Sequence, residues 1–248
     1  MGVEIKIVPD SVTLARVAAQ EFQRLAEAAV QEHGRFSVAL SGGNTPRAVY
    51  SILASEHKDL PWARIHIFFG DERHVPPDHP DSNFRMASES LLSKVPIPEK
   101  NIHRVHAELD AEAAAEEYEQ QLSSFFQLKD HDWPRFDLIF LGIGEDGHTA
   151  SLFPGSKALS ETSRRVVANW VEKFKTFRIT FTFPVLNHAA EVVFLVSGSG
   201  KAQILSEVLR PGTEKYPAQR IQPENGRLLW LVDRDAGSLL PSATPPQA

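Results

Sequence analysis

The chain has 248 residues, 42% hydrophobic and 23% charged, the proportions of a globular protein with room for one large α/β domain or two small ones. Its net charge of −6 argues against a nucleic-acid partner held on a broad basic face, yet leaves room for a local cationic cluster that binds an anionic small molecule. The absence of cysteine removes disulfides, a thiolate nucleophile and cysteine-based zinc sites, and fits a reducing compartment.

Residues 3–8 alternate as a strand does. The first ten residues carry Glu4 and no long apolar core, so no secretory signal is expected, and Lys6 stands where a myristoylation motif needs Ser or Thr. No apolar run approaches the ~20 residues of a membrane span. A cytoplasmic protein with no membrane partner is the expectation. Asp10 or Ser11 caps a long amphipathic helix reaching about His33, with Leu14, Val17, Ala18, Phe22, Leu25 and Ala29 on one face and Gly34 as its stop. A strand at 36–40 runs into Ser41-Gly42-Gly43-Asn44-Thr45-Pro46. Thr45 and Pro46 read as cap and first turn of a helix to about Ala54.

A third strand at 65–69 ends in Gly70-Asp71-Glu72-Arg73. A proline-rich loop (74–81), a helix (82–93), a second loop (94–100) and an Ala/Glu-rich helix (110–128) follow. The strand at 137–141 breaks into glycines. Further strands are predicted at 166–171, 178–182 and 192–196, then Ser197-Gly198-Ser199-Gly200-Lys201 opening a helix to about Leu209, then a strand at 228–232. Strands alternating with helices predict an α/β fold with a mostly parallel, helix-covered sheet. Without an internal repeat or a long linker, residues 1–240 read as one domain and 241–248 as a loose Pro/Ala/Ser-rich tail.

Four polar loops follow predicted strands directly, at 41–45, 70–73, 142–148 and 197–201. A parallel sheet gathers all four at its carboxyl edge, where open α/β sheets place their sites. Ser41, Gly42, Gly43 and Thr45 suit a phosphate cradle at a helix start; the alternative is an ordinary strand-to-helix turn. Lys201 adds a cation at a second helix start, or is simply a solvated lysine. Asp71 and Glu72 could tune one another as acid or base, or Glu72 could pair with Arg73, whose planar fork also suits substrate oxygens. Asp146 stands two residues before His148, near enough to orient an imidazole as the third member of a triad does; the alternative is a loop histidine bonded to a carbonyl.

Three other readings fail on pattern. Residues 142–147 fit GxGxxG, but Pro154-Gly155 interrupts the helix that a dinucleotide fingerprint opens, and the region about 20 residues on offers Asn169 and no carboxylate. No GxSxG elbow makes Ser41 an esterase nucleophile. His74, His79, Asp78 and Asp81 match no metal-binding spacing.

Five stretches together resemble the 6-phosphogluconolactonase family: VALSGGNTPRAVY (38–50), FFGDERHVPPDHPDSNFRMASESLL (68–92), LIFLGIGEDGHTASLFPG (138–155), RITFTFPVLNHA (178–189) and VSGSGKAQIL (196–205). They stand in family order and cover most of the chain. The resemblance implies a modified Rossmann-like sheet with helices on both faces, shared with glucosamine-6-phosphate isomerase/deaminase. It also implies cytosolic hydrolysis of a phosphorylated gluconolactone in the pentose phosphate pathway, with no cofactor and no metal. His148 would be the general base and Asp146 its partner. Ser41, Gly42, Gly43, Thr45 and Lys201 would hold the phosphate, Arg73 and Arg178 would bind substrate, and Asp71 and Glu72 would support them. The resemblance leaves the oligomeric state open. The deaminases continue Asp-Gly-His with Ile-Ala-Phe-Asn-Glu-Pro and carry Asp-Glu-Tyr; here Phe153 replaces the extra carboxylate and Arg73 the tyrosine. Both departures favour the lactonase over the deaminase. A non-catalytic sugar-phosphate binder is the third reading.

Overall fold

The computed structural model describes residues 3–212 and 214–241; the predicted tail from 242 onward lies outside the described residues. In chain order the elements are β1 (Val3–Val8), α1 (Ser11–His33), β2 (Phe36–Leu40), α2 (Asn44–Glu56), β3 (Ile65–Phe69), β4 (Asp71–Arg73), α3 (Asn83–Ala87), α4 (Ala111–Phe126), β5 (Leu138–Leu141), β6 (Val166–Val171), β7 (Thr176–Phe181), α5 (Phe183–Asn187), β8 (Glu191–Val196), α6 (Ala202–Val208) and β9 (Arg227–Asp233). Six strands pair in the order β1-β9-β8-β5-β2-β3, every pair parallel. β2, β5 and β8 are buried along their whole length, as strands covered on both faces must be.

Ring contacts show which helix covers which face. Phe22 of α1 packs 5.2 Å from Phe36 and 6.4 Å from Phe140, while Phe125 at the end of α4 packs 5.0 Å from Phe68. The register aligns Val38 with Ile67 and Leu138, and Ala39 with Phe68 and Ile139. Side chains alternate along a strand, so Phe36 and Phe140 point to one face and Phe68 to the other. Helices therefore cover both.

Local chemistry sets the ends of α1. The Asp10 carboxylate accepts from Thr13 N at 2.7 Å and Gly34 closes the helix in the left-handed region (φ 84°). At α2 the expected cap moves. Gly43, not Thr45, is the cap, with φ 111° that a side chain would resist, and Thr45 and Pro46 lie within the first turn. Pro46 is tolerated there because first-turn amides lack helical acceptors anyway.

Three predicted segments do not join the main sheet or its rim as simple loops. Residues 166–171 form β6 and the predicted strand at 178–182 overlaps β7, which runs from Thr176 to Phe181; with Asp71–Arg73 they form a separate antiparallel sheet, β4-β7-β6. Gly70 is the switch between sheets: its N–H donates to Leu40 O at 2.9 Å and its carbonyl accepts from Phe181 N at 2.9 Å. Arg178 accordingly lies inside a strand, not at its start. The parallel register still brings the ends of β2, β3, β5 and β8 to one edge, and the second sheet stands beside that edge.

Candidate functional site

At one end of the rim, Gly42, Gly43, Thr45, Gly142, Ser197 and Lys201 line a cleft of about 350 Å³. Free amides at the start of α2 and the helix dipole favour an anion here. Ser41 is buried at the base of this turn. Its backbone N–H and carbonyl both bond the Tyr50 hydroxyl, at 3.0 and 2.9 Å, but among the described residues its Oγ has no partner. A buried hydroxyl left without a partner is costly. Lys201 sits in a 3-10 turn just before α6, and among the described residues no carboxylate lies within ion-pair distance of it. The opposing turn is pinned by buried Asp233 at the end of β9, which accepts from Ser197 Oγ at 2.5 Å and Gly198 N at 3.1 Å.

At the next loop, His148 Nδ1 lies 2.5 Å from Asp146 Oδ1, and the His148 amide donates to the same oxygen at 3.3 Å. Burial pushes the Asp146 carboxyl up, but the hydrogen bond and charge of His148 and the charge of Lys173, 3.5 Å away, outweigh it and hold the group below the ordinary carboxylate value. An ionised Asp146 accepts a hydrogen bond from Nδ1–H, which keeps the proton on Nδ1 and leaves the lone pair on Nε2. Phe153 stacks on the imidazole at 4.0 Å and 25°. Gly144 makes room for the ring: a Cβ there would lie 2.1 Å from both Cε1 and Nδ1. No helix opens at Gly147, so the GxGxxG string is a turn and not a nucleotide-binding helix start.

The expected partnership of Asp71, Glu72 and Arg73 resolves into three roles. Asp71 is buried and accepts from Ser151 Oγ at 2.6 Å, tying β4 to the chain just beyond His148. Glu72 does not pair with the Arg73 side chain. It accepts from Arg73 N, Asn83 N and Phe84 N at 2.7–2.8 Å, and from Ser82 Oγ, so it caps α3. Burial pushes its carboxyl up, against the pull of those N–H groups. Glu72→Ala would strand these amides at a buried site and is expected to cost about 2–4 kcal/mol, read as a lower Tm. Arg73 and Arg178 face each other across β4 and β7. Burial, then the charge of Arg73, lowers the Arg178 pKa. Arg178 lies over Phe174 at 5.4 Å, Phe174 packs on Phe153, and Phe153 stacks on His148, so the cationic pair stands on the imidazole side of the rim.

Sequence reading missed several of these groups. Asn83 donates to Asp71 O at 2.9 Å and lies against Gly42, where a Cβ would meet its Oδ1 at 1.9 Å. In the sequence it passes for an ordinary helix-start residue. Asp233, Lys173 and Ser151 reach the site only through tertiary neighbours, although the polar residue ending the last strand was a usable signal for Asp233.

The fold and rim define an open α/β protein with a glycine-lined cleft that includes Lys201, and an Asp-supported histidine, on one edge. A family model described as glucosamine-6-phosphate isomerases/6-phosphogluconolactonase matches residues 9–230, and the chain belongs to this family. A 6-phosphogluconolactonase of a Synechocystis species is 48% identical over 86% of this chain and 88% of its own length, and one of a Nostoc species is 42% identical over 95% and 98%. The solved 6-phosphogluconolactonase of Trypanosoma brucei superposes with a TM-score of 0.88 at 30% identity, covering 97% of this chain and 99% of that one. A monomeric glucosamine-6-phosphate deaminase shares the fold, with a TM-score of 0.79 at 22% identity over 96% of this chain and all of that one.

Proposed function

We propose that the protein hydrolyses 6-phospho-D-glucono-1,5-lactone to 6-phosphogluconate with water activated by His148. The observation that carries the reading is the short Asp146–His148 bond on the same rim as a cationic, glycine-lined cleft. Similarity to named lactonases at 42–48% identity supports it. Nε2 takes a proton from water, whose oxygen attacks the lactone carbonyl. Asp146 supports the imidazolium that forms. Arg73, Arg178 or loop amides offset the charge on the tetrahedral oxygen. The intermediate collapses, the ring C–O bond breaks, and the imidazolium returns its proton to the departing ring oxygen. The acid released ionises at neutral pH. Ser41, Gly42, Gly43, Thr45 and Lys201 hold the phosphate, with Asp71 and Glu72 supporting the frame behind the site. A δ-lactone is reactive enough that neither a covalent intermediate nor a metal is needed.

Lys201→Ala is expected to raise KM for the phosphorylated lactone about 10- to 100-fold, the worth of one hydrogen bond to a charged group, and to change kcat less. Phosphate-free gluconolactone should be hydrolysed as before; an equal effect on both substrates would remove the phosphate role. The amino-sugar reading is separated by incubation with glucosamine 6-phosphate. Phe153 stands where ring opening and amine chemistry need a second proton carrier, so no ammonia is expected, and steady release would overturn the lactonase assignment.

A further inference from the structure

We propose that Tyr216 is a positioning residue that couples the phosphate grip to the Asp146–His148 pair, an inference that rests on the reading above. Gly147 lies between the two members of that pair, in the left-handed region at φ 76°. The Tyr216 side chain occupies the space beside it: a Cβ on Gly147 would lie 2.4 Å from Tyr216 Cδ1 and 2.7 Å from Cβ and Cγ. Two residues on, Ala218 N donates to the Gly147 carbonyl at 3.1 Å. The turn at 216–220 therefore clamps the middle of the catalytic loop by ring and backbone together.

The same tyrosine is fastened to α6. Its hydroxyl donates to Glu207 Oε2, and its own N–H donates to Gln219 Oε1 at 2.9 Å, while Gln219 Nε2 donates to Val208 O at 3.1 Å. Glu207 and Val208 are the last residues of α6, and Lys201 immediately precedes the first. A helix two turns long moves as one piece. An anion drawn against Lys201 fixes α6, α6 fixes Tyr216, and Tyr216 fixes Gly147 and with it the direction of the imidazole. The phosphate would thereby raise the rate of a reaction at the far end of the sugar, the use of remote binding energy that enzymes make for orientation.

Contiguity is not coupling, so the test measures coupling directly. Tyr216→Phe keeps the ring on Gly147 and removes only the bond to Glu207. It is expected to lower kcat for 6-phosphogluconolactone roughly 5- to 20-fold, within the usual range of site–site coupling. KM should stay within about twofold and phosphate-free gluconolactone turnover should be unchanged, the lower bound of that coupling range setting the resolution needed. Glu207→Ala should match it, and Glu207→Gln, which still accepts a hydrogen bond, should restore the rate. In a Lys201→Ala background, Tyr216→Phe should have no further effect. An equal loss on both substrates, an additive loss in the double variant, or a wild-type rate in Tyr216→Phe would overturn the coupling. His148→Ala, assayed alongside, separates the two claims. If it alone is inactive the lactonase reading stands without the coupling, and if it is fully active that reading fails first.

Discussion

His148→Ala is expected to reduce kcat/KM for 6-phosphogluconolactone by about 10²- to 10⁴-fold, the usual worth of one positioned general base. The fold should survive. The imidazole is a quarter exposed and its ring bond is to Asp146 in the same turn, so truncation leaves no distant buried group unpaired. Product binding should survive too, because the glycine turn and Lys201 do not depend on the ring. Circular dichroism and calorimetric titration with 6-phosphogluconate check both points beside the rate. Asp146 is held below the ordinary carboxylate value, so it stays ionised throughout the neutral range and keeps the proton on Nδ1. Any contribution it makes to stability is complete above its unfolded value and is lost only as pH falls through the lowered folded one. Full activity in His148→Ala would remove the imidazole from the mechanism.

Gly144→Ala is expected to cost about 100-fold in kcat, the scale associated with a displacement of about 1 Å at a reacting group. Gly144 does not have the positive φ that Gly147 has, so an alanine fits its backbone, and the penalty is steric. The added methyl would overlap Nδ1 and Cε1 of His148 at 2.1 Å and crowd Asp146 Oδ1 at 2.9 Å. Phe153, stacked on the ring, limits its retreat. KM should change little, since the cleft proposed for the phosphate is lined by other residues. A Gly144→Ala enzyme within twofold of wild type would mean that the imidazole is free to move without consequence.

Much of this arrangement was legible from the chain because parallel strands are continuous apolar runs whose loops must share an edge. The runs at 36–40, 65–69, 137–141 and 192–196 could be read, and so could Asp146 and His148 behind the third of them. What could not be read depends on contacts between distant segments. Asp71–Arg73 looks like a loop until β7 arrives to pair with it. Glu72 looks like a rim acid until Asn83 and Phe84 bring their amides to it. Thr45 was expected to cap α2 on side-chain chemistry, but backbone freedom at Gly43 decided the entry. Lys201 and Asp146 are 55 positions apart, and the β5–β8 pairing puts the loops that carry them on one rim.

The most direct test is proton release in weak buffer on adding freshly prepared 6-phosphogluconolactone, corrected for spontaneous hydrolysis. Catalysed opening of the lactone predicts one proton per molecule consumed, at a rate proportional to wild-type enzyme and close to background with His148→Ala. A background rate with the wild-type protein, or the same acceleration with both proteins, would contradict it.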